Sequence, residues 1–198
     1  MKSECRNPRL EEIRKKFKGK TSMSKVKPDP SILLHPNIPK PLHTVNPRSI
    51  LGKEWWDKTR SKAYKEQSYH CHACGHLGDR QKGDFLEAHE HYDVNYATGR
   101  IVLVKVVALC KKCHLHIHSG LCEILLEKGD ITQREHDEII QHGFNLLLKN
   151  GLPTLPECPL VICAWDEWYL ELNGKKYYSP FKNYEDWDRH WEEADYGL

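Results

Sequence analysis

Four cysteines stand as two close pairs, Cys71-His-Ala-Cys74 and Cys110-Lys-Lys-Cys113, with 35 residues between the pairs. Two residues between thiols let one turn of chain present both sulfurs to a single tetrahedral ion, and two such turns close a four-thiolate site. Redox chemistry or free thiols would account for one pair, but two pairs at this spacing favour zinc. The ion is expected to be structural, because four thiolates leave no open position for water. Cys5, Cys122, Cys158 and Cys163 lack this spacing and are expected to be inert rather than ligands.

Histidines crowd the same stretch: His89 and His91 flank Glu90, and His114, His116 and His118 follow the second cysteine pair. On a helix, His114 and His118 are i and i+4 and share a face, while His116 points elsewhere. One imidazole from a strand facing such a pair makes a three-nitrogen site for a divalent metal, with positions left for water and phosphate. Otherwise, these imidazoles are surface or supporting groups. Zinc held at the start of the helix would pin it against the strand that carries His89.

Leu86-Glu-Ala-His-Glu90, a hairpin, and Ala108-Leu-Cys-Lys-Lys-Cys-His-Leu-His-Ile-His-Ser-Gly120 together resemble the ββα-metal core of HNH endonucleases. The resemblance covers about residues 69–150. It implies metal-dependent hydrolysis of phosphodiester bonds in nucleic acid, DNA foremost, with Mg2+ or another divalent ion. His89 matches the family's strand ligand, and His114 and His118 match the ligands on the helix. Two positions depart from the family pattern. Glu90 stands where the family carries its general-base histidine, and Lys105 stands near the usual asparagine. Glu90 is then a carboxylate base or a fourth ligand, His91 is a second candidate base, and Lys105 would stabilise phosphate charge. If the base is lost, the same scaffold serves as a nucleic-acid-binding module.

The elements that must hold these groups are legible in outline. A strand is expected over 85–89, a turn over Asn95-Tyr-Ala-Thr-Gly99, and a β-branched strand over 100–109. Helices are expected over 111–118, 121–128 and 133–150, the last opened by a Thr132/Glu135 capping box and stopped at Gly151. Upstream, short helices are expected over 10–17 and 50–67. Six prolines between residues 28 and 47 predict an extended linker or a strap along the surface. Downstream, a hairpin over 165–179 turning at Asn173-Gly174 and an acidic helix over 183–193 are expected. The fold class is α+β: a small zinc-stapled ββα core with following helices, between an extended basic arm and a Trp-rich add-on. The divisions fall at 1–67, 68–151 and 152–198.

The charge is divided along the chain. The net +2 resolves into +11 over residues 1–65, −3 over 66–150 and −6 over 151–198. A basic arm suits phosphate contact through counterion release, and Arg14, Lys15, Lys16, Lys18 and Lys20 are its candidate contacts. A solvated tail is the other reading of the same run. Four of the six tryptophans lie in the acidic segment, as the core of a small add-on or the face for a protein partner. The chain has no membrane-length apolar run and no apolar leader, so a cytoplasmic, reducing setting is expected.

Overall fold

The computed structural model describes residues 27–195. The expected helix over 10–17 and the basic contacts Arg14, Lys15, Lys16, Lys18 and Lys20 lie outside the described residues. Among the described residues the chain is α+β, with five α-helices and one four-stranded sheet ordered β1-β2-β3-β4.

Strands β1 (Leu86–Asn95) and β2 (Arg100–Cys110) form an antiparallel hairpin. Strand β1 runs beyond the expected 85–89, because the β-branched run of β2 supplies ladder partners as far as Asn95 opposite Arg100. The turn between them closes at Gly99, whose φ is 67° and whose missing Cβ would stand 2.6 Å from the Glu167 carbonyl oxygen. A larger residue there would strain the turn and push the C-terminal segment away. The pairing shifts between His91 and Tyr92, leaving Val104 without a partner. Such a bulge bends a strand locally.

Strand β2 runs directly into helix α2 (Lys111–Ile117), followed by α3 (Ser119–Glu127) and α4 (Gln133–Lys149). Both hydrogen bonds of the Thr132/Glu135 capping box are present at the start of α4. Helices α2 and α4 approach closely at Gly143, where any Cβ would lie 2.2 Å from the His116 ring. That contact takes His116 away from His114 and His118, as the helical spacing implies. Before the hairpin, helix α1 (Pro47–Glu66) starts at an Asn46 cap, breaks at Gly52 and packs against β2. The Gln67 side chain then accepts the Ala108 N–H at 3.1 Å.

The Pro-rich segment is not a surface strap. Two 3-10 turns, Pro30–Leu34 and Lys40–Leu42, bring Ile32, Leu33 and Leu42 into the core, each 5% exposed or less. The prolines set short turns rather than extended chain, and each buried aliphatic side chain contributes roughly 1.5–3 kcal/mol. Ile32 and Leu33 pack with Cys71, Ala73, Val107, Leu109, Cys113 and Leu147 around the cysteine sulfurs. The C-terminal segment joins the same sheet. Strands β3 (Tyr169–Leu172) and β4 (Lys175–Tyr178) turn at Asn173-Gly174, and β3 pairs in parallel with Arg100–Val102. The start of the expected hairpin, Trp165–Glu167, is instead a 3-10 turn. Trp168 and Leu170 bury against Ile101, Tyr92 and Leu42, and helix α5 (Tyr184–Asp195) follows.

Candidate metal centre

The two cysteine knuckles come from separate parts of the fold. Cys71 and Cys74 lie on the loop before β1, where the Cys71 N–H donates to the His76 carbonyl and the Gly75 N–H to the Cys71 carbonyl. Cys110 ends β2, and Cys113 sits in the first turn of α2. The four sulfurs all lie within 4.8 Å of one another, with Cys74 and Cys110 at 3.8 Å. Tetrahedral Zn–S bonds of ~2.3 Å separate sulfurs by about 3.8 Å, so the cluster could hold an ion such as zinc. Without a cation the thiols cannot ionise together. Hydrogen bonds from Cys110, Cys113 and Cys74 pull the Cys71 thiol far below its usual range. The crowding of the other sulfurs in turn pushes the Cys113 thiol far above it. A divalent cation removes that conflict. From α4, His142 Nε2 lies 3.4 Å from Cys113 Sγ, placed to donate to a thiolate.

The second cluster joins β1 to α2. One nitrogen each from His89, His114 and His118 lies within the same 4.8 Å limit, and His118 Nε2 is 3.2 Å from His89 Nδ1. His118 falls just past the end of α2, one residue beyond the helix itself. Its N–H still donates to the His114 carbonyl at 3.0 Å, which keeps the two rings together as i and i+4, edge to face with centroids 4.7 Å apart. His89 is 3% exposed, and its Nε2 is buried with no hydrogen-bond partner. Three converging imidazoles fit a divalent ion. Glu87, on the same face of β1 as His89, faces His114 Nδ1 with a carboxylate oxygen. That pairing fixes the ring and leaves Nε2 free for a metal, the usual role of a carboxylate behind a metal-binding histidine.

His35, from the Pro-rich segment, stands against His89 with ring centroids 4.9 Å apart. It is 8% exposed, and its Nε2 accepts the Tyr92 N–H at 3.1 Å. Burial holds the pKa of His89 down to about 2 and that of His35 to about 4. His118, open to solvent on one side, is also pushed down to about 4 by the packing around it and by His114. In an unfolded chain these rings titrate near ~6.5. Below that pH the unfolded state takes up protons that the folded state refuses, so stability is present above ~6.5 and lost as pH falls toward 4. The urea midpoint is therefore expected to hold between pH 8 and 7 and to decline steadily below 6.5. Zinc content measured at each pH separates histidine protonation from loss of the ion. A midpoint that stays flat down to pH 4.5 would mean these rings charge freely in the fold.

The other expected site residues separate into two places. Glu90 lines the same cleft as His89 and His118, and burial raises its carboxyl pKa while Arg48 opposes the shift. His91 and Lys105 are cross-strand partners at the bulge. Lys105 Nζ donates to His72 Nε2 at 3.0 Å, and the His91 ring lies 5.5 Å from that of His35. Neither joins the three-histidine group. Cys122 is fully buried, Cys163 is partly buried and Cys158 is exposed. The sequence reading missed four residues: Glu87, His35, His142 and Arg48. Only Glu87 carried a usable signal, since strand alternation places it beside His89.

Comparisons with family models, with curated proteins and with solved structures find no match to this chain.

Proposed function

We propose that the β1–β2 hairpin with α2 is a ββα-metal core and that the protein is an HNH-type endonuclease acting on DNA. The observation that carries this reading is the meeting of His89, His114 and His118 behind a four-cysteine knuckle. A divalent metal on those three nitrogens, Mg2+ or an ion better suited to imidazoles such as Zn2+ or Ni2+, would polarise a phosphate oxygen and stabilise the leaving oxyanion. Every other part of the chemistry falls to the chain. Glu87 orients His114, and His35 walls the rear of His89. The four cysteines, loaded with zinc, anchor the N-terminal end of the helix that presents His114. Glu90 takes the proton of the attacking water. Its partial burial suits that role, because a carboxyl pKa raised toward neutrality accepts a proton more readily. Arg48, at the start of α1, lines the same cleft and would meet a phosphate.

Replacing Glu90 by Gln is expected to lower plasmid nicking by ~100-fold or more, the usual contribution of a general base, with metal binding retained. Glu90→His should keep or raise activity. A Glu90→Gln chain that nicks as fast as the parent would remove Glu90 from the mechanism. Truncation of residues 1–27 is expected to weaken DNA binding for all sequences and to flatten its salt dependence, because each lost phosphate contact removes about one released counterion. An unchanged slope would leave the basic arm without a part in binding.

One observation favours a second reading. Lys105, the candidate for stabilising phosphate charge, is held by His72 instead. A scaffold with a carboxylate at the base position and no cation from β2 would bind nucleic acid without cutting it. Wild type inert with Mg2+, Mn2+ and Ni2+, combined with an active Glu90→His variant, would select that reading. A protein partner at the Trp-rich segment has less support, because Trp168 is buried in the core and Trp165 bonds to the Phe181 carbonyl.

A further inference from the structure

The cleft that holds His89, Glu90 and His118 does not end at the metal centre. It extends as one hollow of about 1110 Å³ between the Pro-rich segment, β1, the start of α3 and the loop before β3. Its polar lining includes Arg48, Asn46, Lys40 and His43 beside Glu90 and the histidines. Its apolar lining includes Ile38, Val45, Tyr96, Leu121, Ile162 and Trp165. Leu121 and Ile162 are 45% and 63% exposed, so this apolar lining is open to solvent. Prolines 36, 39 and 41 form one wall, which fixes its shape in advance of any ligand.

We infer that this hollow receives unpaired nucleotides of the strand being cut, and hence that the substrate is single-stranded or locally unpaired nucleic acid. The inference rests on the nuclease reading for the position of the scissile phosphate. The polar and apolar parts of the lining match the two parts of a nucleotide. Imidazoles and the Arg48 guanidinium suit a phosphodiester, and apolar and aromatic side chains suit the face of a base. A paired duplex offers nothing to fill such a hollow, because its base faces are stacked inside and its outer surface is phosphate and polar groove edges. An extruded or unpaired base offers an apolar face next to its own phosphate. The volume of about 1110 Å³ lies above the ~300–1,000 Å³ range of small-molecule pockets, which leaves space for more than one base.

The test is equilibrium binding of labelled oligonucleotides to the full zinc-loaded chain in buffer without added Mg2+. The probes are a single strand, its duplex, the duplex with a three-nucleotide bulge, and the RNA single strand. The single strand is expected to bind at least 10-fold tighter than the duplex, with the bulged duplex between them. Ile162→Glu and Leu121→Glu, both at exposed positions, should remove most of that preference and leave duplex affinity and the melting temperature unchanged. Equal or tighter binding of the plain duplex, or a preference that survives both variants, overturns the inference. So does a dimer in sedimentation that either variant dissolves, since a second copy would then fill the cleft. The RNA arm shows which sugar the site prefers. Failure of the nuclease reading looks different: no cleavage with any divalent ion, with the single-strand preference intact. Cleavage of duplex as fast as single strand sinks the inference and spares the nuclease.

Discussion

A Cys113→Ser chain is expected to lose its zinc and its hairpin-helix core together. Cys113 is fully buried, and its sulfur lies among the three other thiols with His142 behind it. The apolar cluster around it is small and includes three of the four cysteines, so few large side chains would remain to hold the region without the ion. Zinc contributes roughly 10 kcal/mol or more to small domains of this kind, about the whole stability of an ordinary domain. Elemental analysis of wild type should give one zinc per chain. The variant should give none, with the melting transition lost or greatly lowered. A zinc-free variant that melts like wild type would show that the sulfurs form an ordinary buried cluster.

His118→Ala is expected to abolish cleavage and to leave the fold intact. His118 lies at the open mouth of the cleft, so its removal leaves no buried void, and the cysteine cluster is untouched. Two imidazoles would remain for the divalent ion. Loss of an outer partner of a metal ligand alone reduces affinity or activity ~10–100-fold, and loss of a ligand should exceed that. The measurement pairs plasmid nicking across a Mg2+ series with the zinc content and melting temperature of the same preparation. Nicking retained within a few-fold of wild type would move the catalytic centre elsewhere. His35→Phe offers a contrast, because it keeps a ring against His89 while losing the acceptor for the Tyr92 N–H. It should impair the site through geometry, with a smaller loss.

The two cysteine pairs and the His114/His118 pair of the candidate metal clusters were legible in the sequence because each pair depends on local spacing. A CxxC pair is made within one turn, and His114 and His118 are set by one helical repeat, so neither needed knowledge of the tertiary fold. Glu87 was available from the same logic applied to β1. His35, His142 and Arg48 were not, because each reaches the site from an element whose docking is decided by packing. The prolines misled for a related reason. They exclude long helices and ladder pairing, but that exclusion does not imply extended chain. The apolar spacing of Ile32, Leu33 and Leu42 decides that the segment is buried. The continuation of the sheet into β3 could not be read from a short, alternating hairpin, because a parallel pairing across some 70 residues leaves no local mark.

That pairing bears on how the chain is made. During synthesis the β1–β2 hairpin emerges by residue 110, but the partner of Arg100, Ile101 and Val102 arrives only with Tyr169, Leu170 and Glu171. Until then one edge of β2 offers unpaired N–H and C=O groups, and Ile101 lacks the cover of Trp168 and Leu170. An open, β-branched edge of this kind is a template for pairing with another nascent chain. A chain stopped at residue 151 would keep all seven residues of the two candidate metal clusters and still carry that edge. Such a fragment is expected to aggregate on expression, whereas a stop after Tyr178 would retain the strands that close it.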